Sequence, residues 1–221
     1  MNVHKKINSQ EDYRRLKKIY YVCSYTGCGT MLLTTALENE ETLVRICHSR
    51  FPPDKLEFVF SDGLPEIPKK RKDYNKTMFK FNGTKVPDDL LDKITVIYIF
   101  KNPVNSIYSR LRNNFYAGFI ESPHGQCELT DIIDQKKDLF ELEQFFDNYT
   151  KPNPNRNYPI ICVNYHKLFE EQDKLTEYLG IPPLGLVKKE NKHEMKDLET
   201  LEEIYKPLND KIKNMPFMTI S

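Results

Sequence analysis

The chain has 221 residues, of which 39% are apolar, including 13 Tyr and 13 Phe. A domain of this size removes roughly 70% of its unfolded surface from water, so it can build a core without staples. A mean hydropathy of -0.63 and 29% charged residues exclude a collagen-like or disordered chain. The 33 basic and 32 acidic residues leave a formal charge of +1, too little for an overall field that would hold nucleic acid or an anionic membrane.

Strand-like and helix-like segments alternate along the chain. This predicts an α/β fold of three layers, a central mainly parallel sheet flanked by helices, in a single domain over residues 1–221. The first strand is Lys18 to Cys23. A helix follows from Thr30 to Glu38, with Leu32, Leu33, Ala36 and Leu37 as its apolar face. Short strands are predicted at Leu43 to Cys47 and Leu56 to Phe60. Ile94 to Phe100 is continuously apolar and β-branched, as a strand covered on both faces should be, and is expected at the sheet centre. Pro103 suits the first turn of a helix running to Asn113. Thr130 to Tyr149 reads as one helix, Ile160 to Asn164 as a buried strand, and His166 to Leu179 as a helix stopped by Gly180 and the Pro182-Pro183 pair. Asp197 to Lys213 reads as a terminal helix kinked near Pro207.

No apolar run reaches the roughly 18 residues that span a bilayer, and the polar stretch from Met1 to Lys18 is unlike an export signal. A cytoplasmic protein without membrane contact is expected. Cys23, Cys28, Cys47, Cys127 and Cys162 are odd in number and scattered, which suits reduced, packed thiols better than a disulfide framework or a zinc cluster. The glycosylation sequons at Asn75, Asn82 and Asn148 are accordingly expected to be unused.

Two strand-to-helix junctions carry the chemistry. Ser24-Tyr25-Thr26-Gly27-Cys28-Gly29-Thr30 places two glycines where a chain bends into a helix, aiming unpaired first-turn amides at one point. A phosphate fits such a turn, and a plain turn with Gly for geometry is the alternative. No lysine precedes Thr30, as a nucleotide triphosphatase loop requires, and Leu32 stands where a dinucleotide fingerprint needs a small residue. The second junction, Ile97 to Arg112, has a cation at the strand end and a hydroxyl about two helical turns on, Lys101 and Ser109, which can both meet a phosphate; an N-capped helix with a solvated lysine is the alternative.

The run Ser24 to Leu32 (SYTGCGTML) resembles, without gaps, the T-Y-P-K-S-G-T-T-W loop of sulfotransferases that use 3′-phosphoadenosine 5′-phosphosulfate (PAPS). Lys101, Asn102, Pro103 and Ser109 resemble that family's 3′-phosphate motif, with lysine where the family has arginine. Val163 to Leu168 is similar to its adenine-side segment through Tyr165. Lys188-Lys189 sit where it has a phosphate clamp, although Glu190 replaces the glycine that follows. The resemblance spans about Lys18 to Lys189. It implies a P-loop nucleotide-kinase-like sulfotransferase architecture, with PAPS or its product 3′,5′-ADP (PAP) held by Tyr25, Thr26, Gly27, Cys28, Gly29, Thr30, Met31, Lys101, Ser109, Tyr165, Lys188 and Lys189. No metal is implied.

Two departures matter. Gly27 falls where the family has its loop lysine, and Met31 replaces its second threonine. A replacement cation is sought in the basic run from Pro68 to Lys85, with Lys80 favoured because it lies in a strand-like stretch beside Phe79 and Phe81; a solvated loop or a nuclear-localisation or nucleic-acid patch are the rival readings. For the base that accepts the acceptor's proton, His48 in Cys47 to Pro53 is the candidate, although the ungapped alignment sets Arg50 against the family's histidine. Asp62 and Glu66 are alternatives. Phe115 to Glu128 is expected to form a lid over a small-molecule or glycan acceptor. A PAP- or PAPS-binding module without turnover and a small-molecule or nucleotide kinase are the competing functions.

Overall fold

In the computed structural model of the chain, the described residues are 10–25, 27–59, 80–111, 123–124, 127, 129–188 and 198–221, the side chains of 109–111 and 129 excepted. The elements are α1 (Gln10–Arg14), β1 (Lys18–Cys23), α2 (Thr30–Leu37), β2 (Thr42–Cys47), α3 (Asp88–Leu91), β3 (Ile94–Phe100) and α4 (Pro103–Leu111). They continue with α5 (Leu129–Gln135), α6 (Leu142–Thr150), β4 (Ile160–Asn164), α7 (Tyr165–Leu179), α8 (Leu198–Ile204), α9 (Lys206–Asn214) and β5 (Met218–Ile220).

The five strands form one sheet in the order β2-β1-β3-β4-β5, the first four parallel and β5 antiparallel to β4. Six of the seven residues of β3 are buried, and it holds the middle position, as its unbroken apolar run predicts. Right-handed crossovers put the helix that follows β1 and the helices that follow β3 on opposite faces. On the α6 face, Tyr149 stacks on Tyr98 of β3 with ring centroids 4.4 Å apart, and Phe145 stacks on Tyr149 at 5.5 Å. These rings are the centre of the core on that side.

Four points differ from the expectation. Leu56 to Val59 adds no strand to the sheet: it pairs with the 82–86 segment through backbone hydrogen bonds and one isolated antiparallel bridge, Glu57 to Lys85. Lys80 and Phe81 likewise lie in irregular chain, not in a strand. The expected helix from Thr130 to Tyr149 is two helices, α5 and α6. Its apolar spacing runs on through the break, but Asp138 accepts from the amides of Phe140 (3.1 Å) and Leu142 (2.6 Å), capping a new start. Lys136 and Glu141 take left-handed φ values of 47° and 46° on either side. The fourth is β5, which the sequence reading did not include; three residues are too few to show periodicity, and the strand is defined by its pairing with β4.

Candidate functional site

In an open parallel sheet, ligands bind outside the carboxyl ends of the strands where the strand order reverses. Here that point lies between β1 and β3. From β1 the chain moves outward to β2, and from β3 outward to β4, the topology that forms a ligand crevice in such sheets. Both junctions singled out in the sequence open onto it.

The first junction is anchored by short-range chemistry. Ser24 N donates to Cys47 O at 3.1 Å, and Ser24 Oγ lies 2.7 Å from Thr30 Oγ1. His48, one residue past the end of β2, places Nδ1 2.8 Å from Ser24 O and 3.3 Å from Ser24 Oγ. A carbonyl only accepts, so Nδ1 carries the proton and the basic lone pair is on Nε2. Gly27 and Gly29 hold left-handed φ values of 67° and 89°. The cradle is tight: a β-carbon on Gly27 would meet Ser106 O of α4 at 2.7 Å, and one on Gly29 would meet the Tyr165 ring at 2.3 Å.

The loop is stitched to the second junction from below. The buried Tyr25 hydroxyl donates to Lys101 O and accepts from Lys101 N at 3.1 Å, while burial holds the phenol protonated. Cys28 Sγ lies 3.6 Å from Ser106 Oγ. The side chains of Tyr25 and Cys28 therefore face α4 and the core, and what this turn offers a ligand is backbone. At the start of α2, the first-turn amides have no acceptor inside the helix, while Met31 is 57% exposed.

At the second junction, Asn102 Oδ1 accepts from Asn105 N (3.2 Å) and caps α4, and Ser106 Oγ donates to Asn102 O at 3.1 Å. Lys101 Nζ lies 4.9 Å above the Tyr165 ring centroid. Among the described residues Lys101 forms no ion pair, and burial pulls its pKa below the usual lysine range. The β4–α7 junction completes the crevice. Asn164 caps α7 by accepting from His166 N at 3.1 Å, and His166 Nε2 accepts from Asn102 N at 2.9 Å. Lys188, past the end of α7, is exposed and acts on His166 electrostatically.

The fold thus brings Gly27, Gly29, Thr30, Lys101 and Tyr165 to one crevice, with Lys188 at its edge and His48 against Ser24. Lys80 lies next to Phe81, whose amide donates to Ser49 Oγ at 3.2 Å, so this cation is carried near the His48 end of β2. Arg50 is turned the other way: it donates to the carbonyls of Phe140 and Glu141 and sits over Phe145, holding the α5–α6 turn. Thr26, Lys189, Asp62, Glu66, the 68–79 part of the basic run and most of the expected lid lie outside the described residues, as does the side chain of Ser109. Sequence reasoning missed His166 and Ser106. The signal for His166 was its place directly after the strand-end Tyr165; Ser106 had none beyond its position one turn before Ser109. No group of three metal-ligating side chains is assembled among the described residues.

Comparison with protein-family models, with curated proteins and with solved structures finds no match to this chain.

Proposed function

We propose that this protein is a sulfotransferase that takes a sulfuryl group from PAPS and passes it to a hydroxyl or amine acceptor. The observation that carries the reading is the packing of Gly27 on Ser106 and of Gly29 on Tyr165, which puts two anion-favouring junctions in one crevice at the reversal of strand order. The residues fit the donor in two respects. The first-turn amides of α2 lack an acceptor inside the helix and favour an anion, and Lys101 is a half-buried cation with no carboxylate partner among the described residues.

PAPS, when bound, supplies an activated sulfuryl group and departs as 3′,5′-ADP. The Gly29 and Thr30 amides would hold the 5′ end, Lys101 and Ser109 the 3′-phosphate, and Tyr165 one face of the crevice beside the base. His48, whose Nδ1–H is fixed on Ser24 O, would receive the proton of an acceptor hydroxyl at Nε2. Lys80 would supply the charge that Gly27 lacks. A missing preorganised donor costs roughly 2.7–4 kcal/mol in kcat, so slow turnover is expected if Lys80 does not reach.

Gly27 in place of a lysine favours a second reading, a PAP-binding module without turnover. Thermal-shift titration with 3′,5′-ADP, PAPS and ATP tests both: stabilisation by the first two and none by ATP is expected, and the reverse order would point to a kinase and overturn the reading. Transfer of labelled sulfate from PAPS to a mixed acceptor panel, lost in His48→Ala, then separates the enzyme from the silent module.

A further inference from the structure

The hydrogen bond between Asn102 N and His166 Nε2 joins the β3–α4 junction to the β4–α7 junction at 2.9 Å. An amide N–H only donates, so Nε2 bears no proton and the imidazole is neutral. Its surroundings keep it so. The ring is exposed on one side, yet partial desolvation comes first, then the positive charges of Lys101 from the β3–α4 turn and Lys188 from the segment after α7, and all three oppose a charge on it. Among the described residues no carboxylate acts on it, and Tyr165 on its own helix meets it edge-on at 6.3 Å.

Protonation would turn Nε2 from acceptor to donor. Two N–H groups, those of Asn102 and His166, would then face each other and repel, with two lysines nearby. An oxyanion lodged against them relieves this at once: its oxygens accept from both N–H groups, and its charge offsets Lys101, Lys188 and the imidazolium. We propose that binding of a tetrahedral dianion at the Lys101–Asn102 turn is coupled to proton uptake by His166, which acts as a positioning residue: neutral, it closes the turn onto itself, and protonated, it opens the turn to the anion. The proposal rests on reading this crevice as an anion site, but not on sulfuryl transfer.

Inorganic sulfate is the probe, because it stays doubly charged over the range in which phosphate monoesters themselves titrate, near about pH 6. The imidazole NMR signals of the 5 histidines are followed between about pH 5 and 8, with His166 assigned from its loss in His166→Gln. Sulfate is expected to raise the His166 midpoint by about one unit, equivalent to affinity approaching tenfold tighter at the acid end than at the alkaline end. His166→Gln keeps a side-chain oxygen for Asn102 N–H and should bind sulfate without pH dependence. An unmoved His166 midpoint at the highest soluble sulfate concentration overturns the proposal, as does a pH dependence that survives in His166→Gln. A parallel titration with 3′,5′-ADP and 5′-AMP separates this from the nucleotide reading. Preference for 3′,5′-ADP with an unmoved His166 overturns the coupling and leaves that reading standing. Sulfate coupling without any preference for 3′,5′-ADP supports the coupling and removes the nucleotide.

Discussion

The ring of Tyr165 occupies the space that any side chain at position 29 would need: a β-carbon there would lie 2.3 Å from Cε2 and 2.5 Å from Cδ2. Gly29 also holds φ at 89°. Two costs therefore attend Gly29→Ala. The left-handed backbone contributes about 1–2 kcal/mol, and overpacking against the ring about 1–3 kcal/mol. Adding Tyr165→Ala should recover the second and leave the first. Urea unfolding of the two single variants and the double variant measures this, and a double variant no better than the sum of its parts would mean that the ring does not press on the loop.

Lys101 is expected to read the 3′-phosphate and nothing else of the nucleotide. Charge-assisted hydrogen bonds contribute about 1.5–3 kcal/mol, so Lys101→Ala should weaken 3′,5′-ADP binding roughly tenfold or more and leave 5′-AMP unchanged. Lys101→Arg should tighten it, since the guanidinium fork engages two phosphate oxygens. Calorimetric titration with both nucleotides decides, and equal weakening of both would place Lys101 away from the 3′ end.

Stability should fall as pH drops below about 6.5, the ordinary histidine value. Partial desolvation of the exposed ring and two lysines depress the pKa of His166 in the fold. Between that depressed value and the ordinary one, the unfolded chain binds the extra proton, and acidification favours unfolding. Above about 6.5 the contribution is complete. Asp138 works in the opposite sense at lower pH: burial raises its pKa, so acidification through its window favours the fold. Comparing melting curves of the wild type with His166→Gln across this range cancels Asp138. The prediction is a shallower acid slope in the variant.

Two tyrosines that stack on each other should respond oppositely to loss of a hydroxyl. The Tyr98 oxygen is buried with no hydrogen-bond partner among the described residues, whereas Tyr149 OH donates to Ser49 O at 2.8 Å. Tyr98→Phe keeps the stacked ring and removes an unsatisfied polar atom, so it should raise stability by about 1 kcal/mol. Tyr149→Phe should lower it by about 1–3 kcal/mol, because Ser49 O loses its partner. Equilibrium unfolding measures both signs.

The local elements were legible to the residue in places. β1 and β4 coincide with the predicted Lys18 to Cys23 and Ile160 to Asn164, because continuous apolar, β-branched runs bounded by polar or glycine-containing turns admit few other conformations. The end of α7 at Gly180, whose φ is 65°, was equally plain. Where the reading failed, a side chain distant in sequence intervened. The α5–α6 break depends on Asp138 and on Arg50 reaching across from the β2 end, and no periodicity records that.

Of the site, the glycines before a helix marked the first junction as anion-favouring, and the resemblance of Lys101, Asn102, Pro103 and Ser109 to a 3′-phosphate motif marked the second. Their adjacency came from elsewhere. The order β2-β1-β3-β4-β5 sets β3 between β1 and β4, and only then does Gly27 rest on Ser106 and Lys101 lie over Tyr165. The role of His166 likewise arises from a contact with Asn102 across 64 positions of chain. Periodicity and turn chemistry act within a few residues and are written along the chain, whereas strand order and the neighbours of a half-buried charge are settled by the packing of the whole sheet.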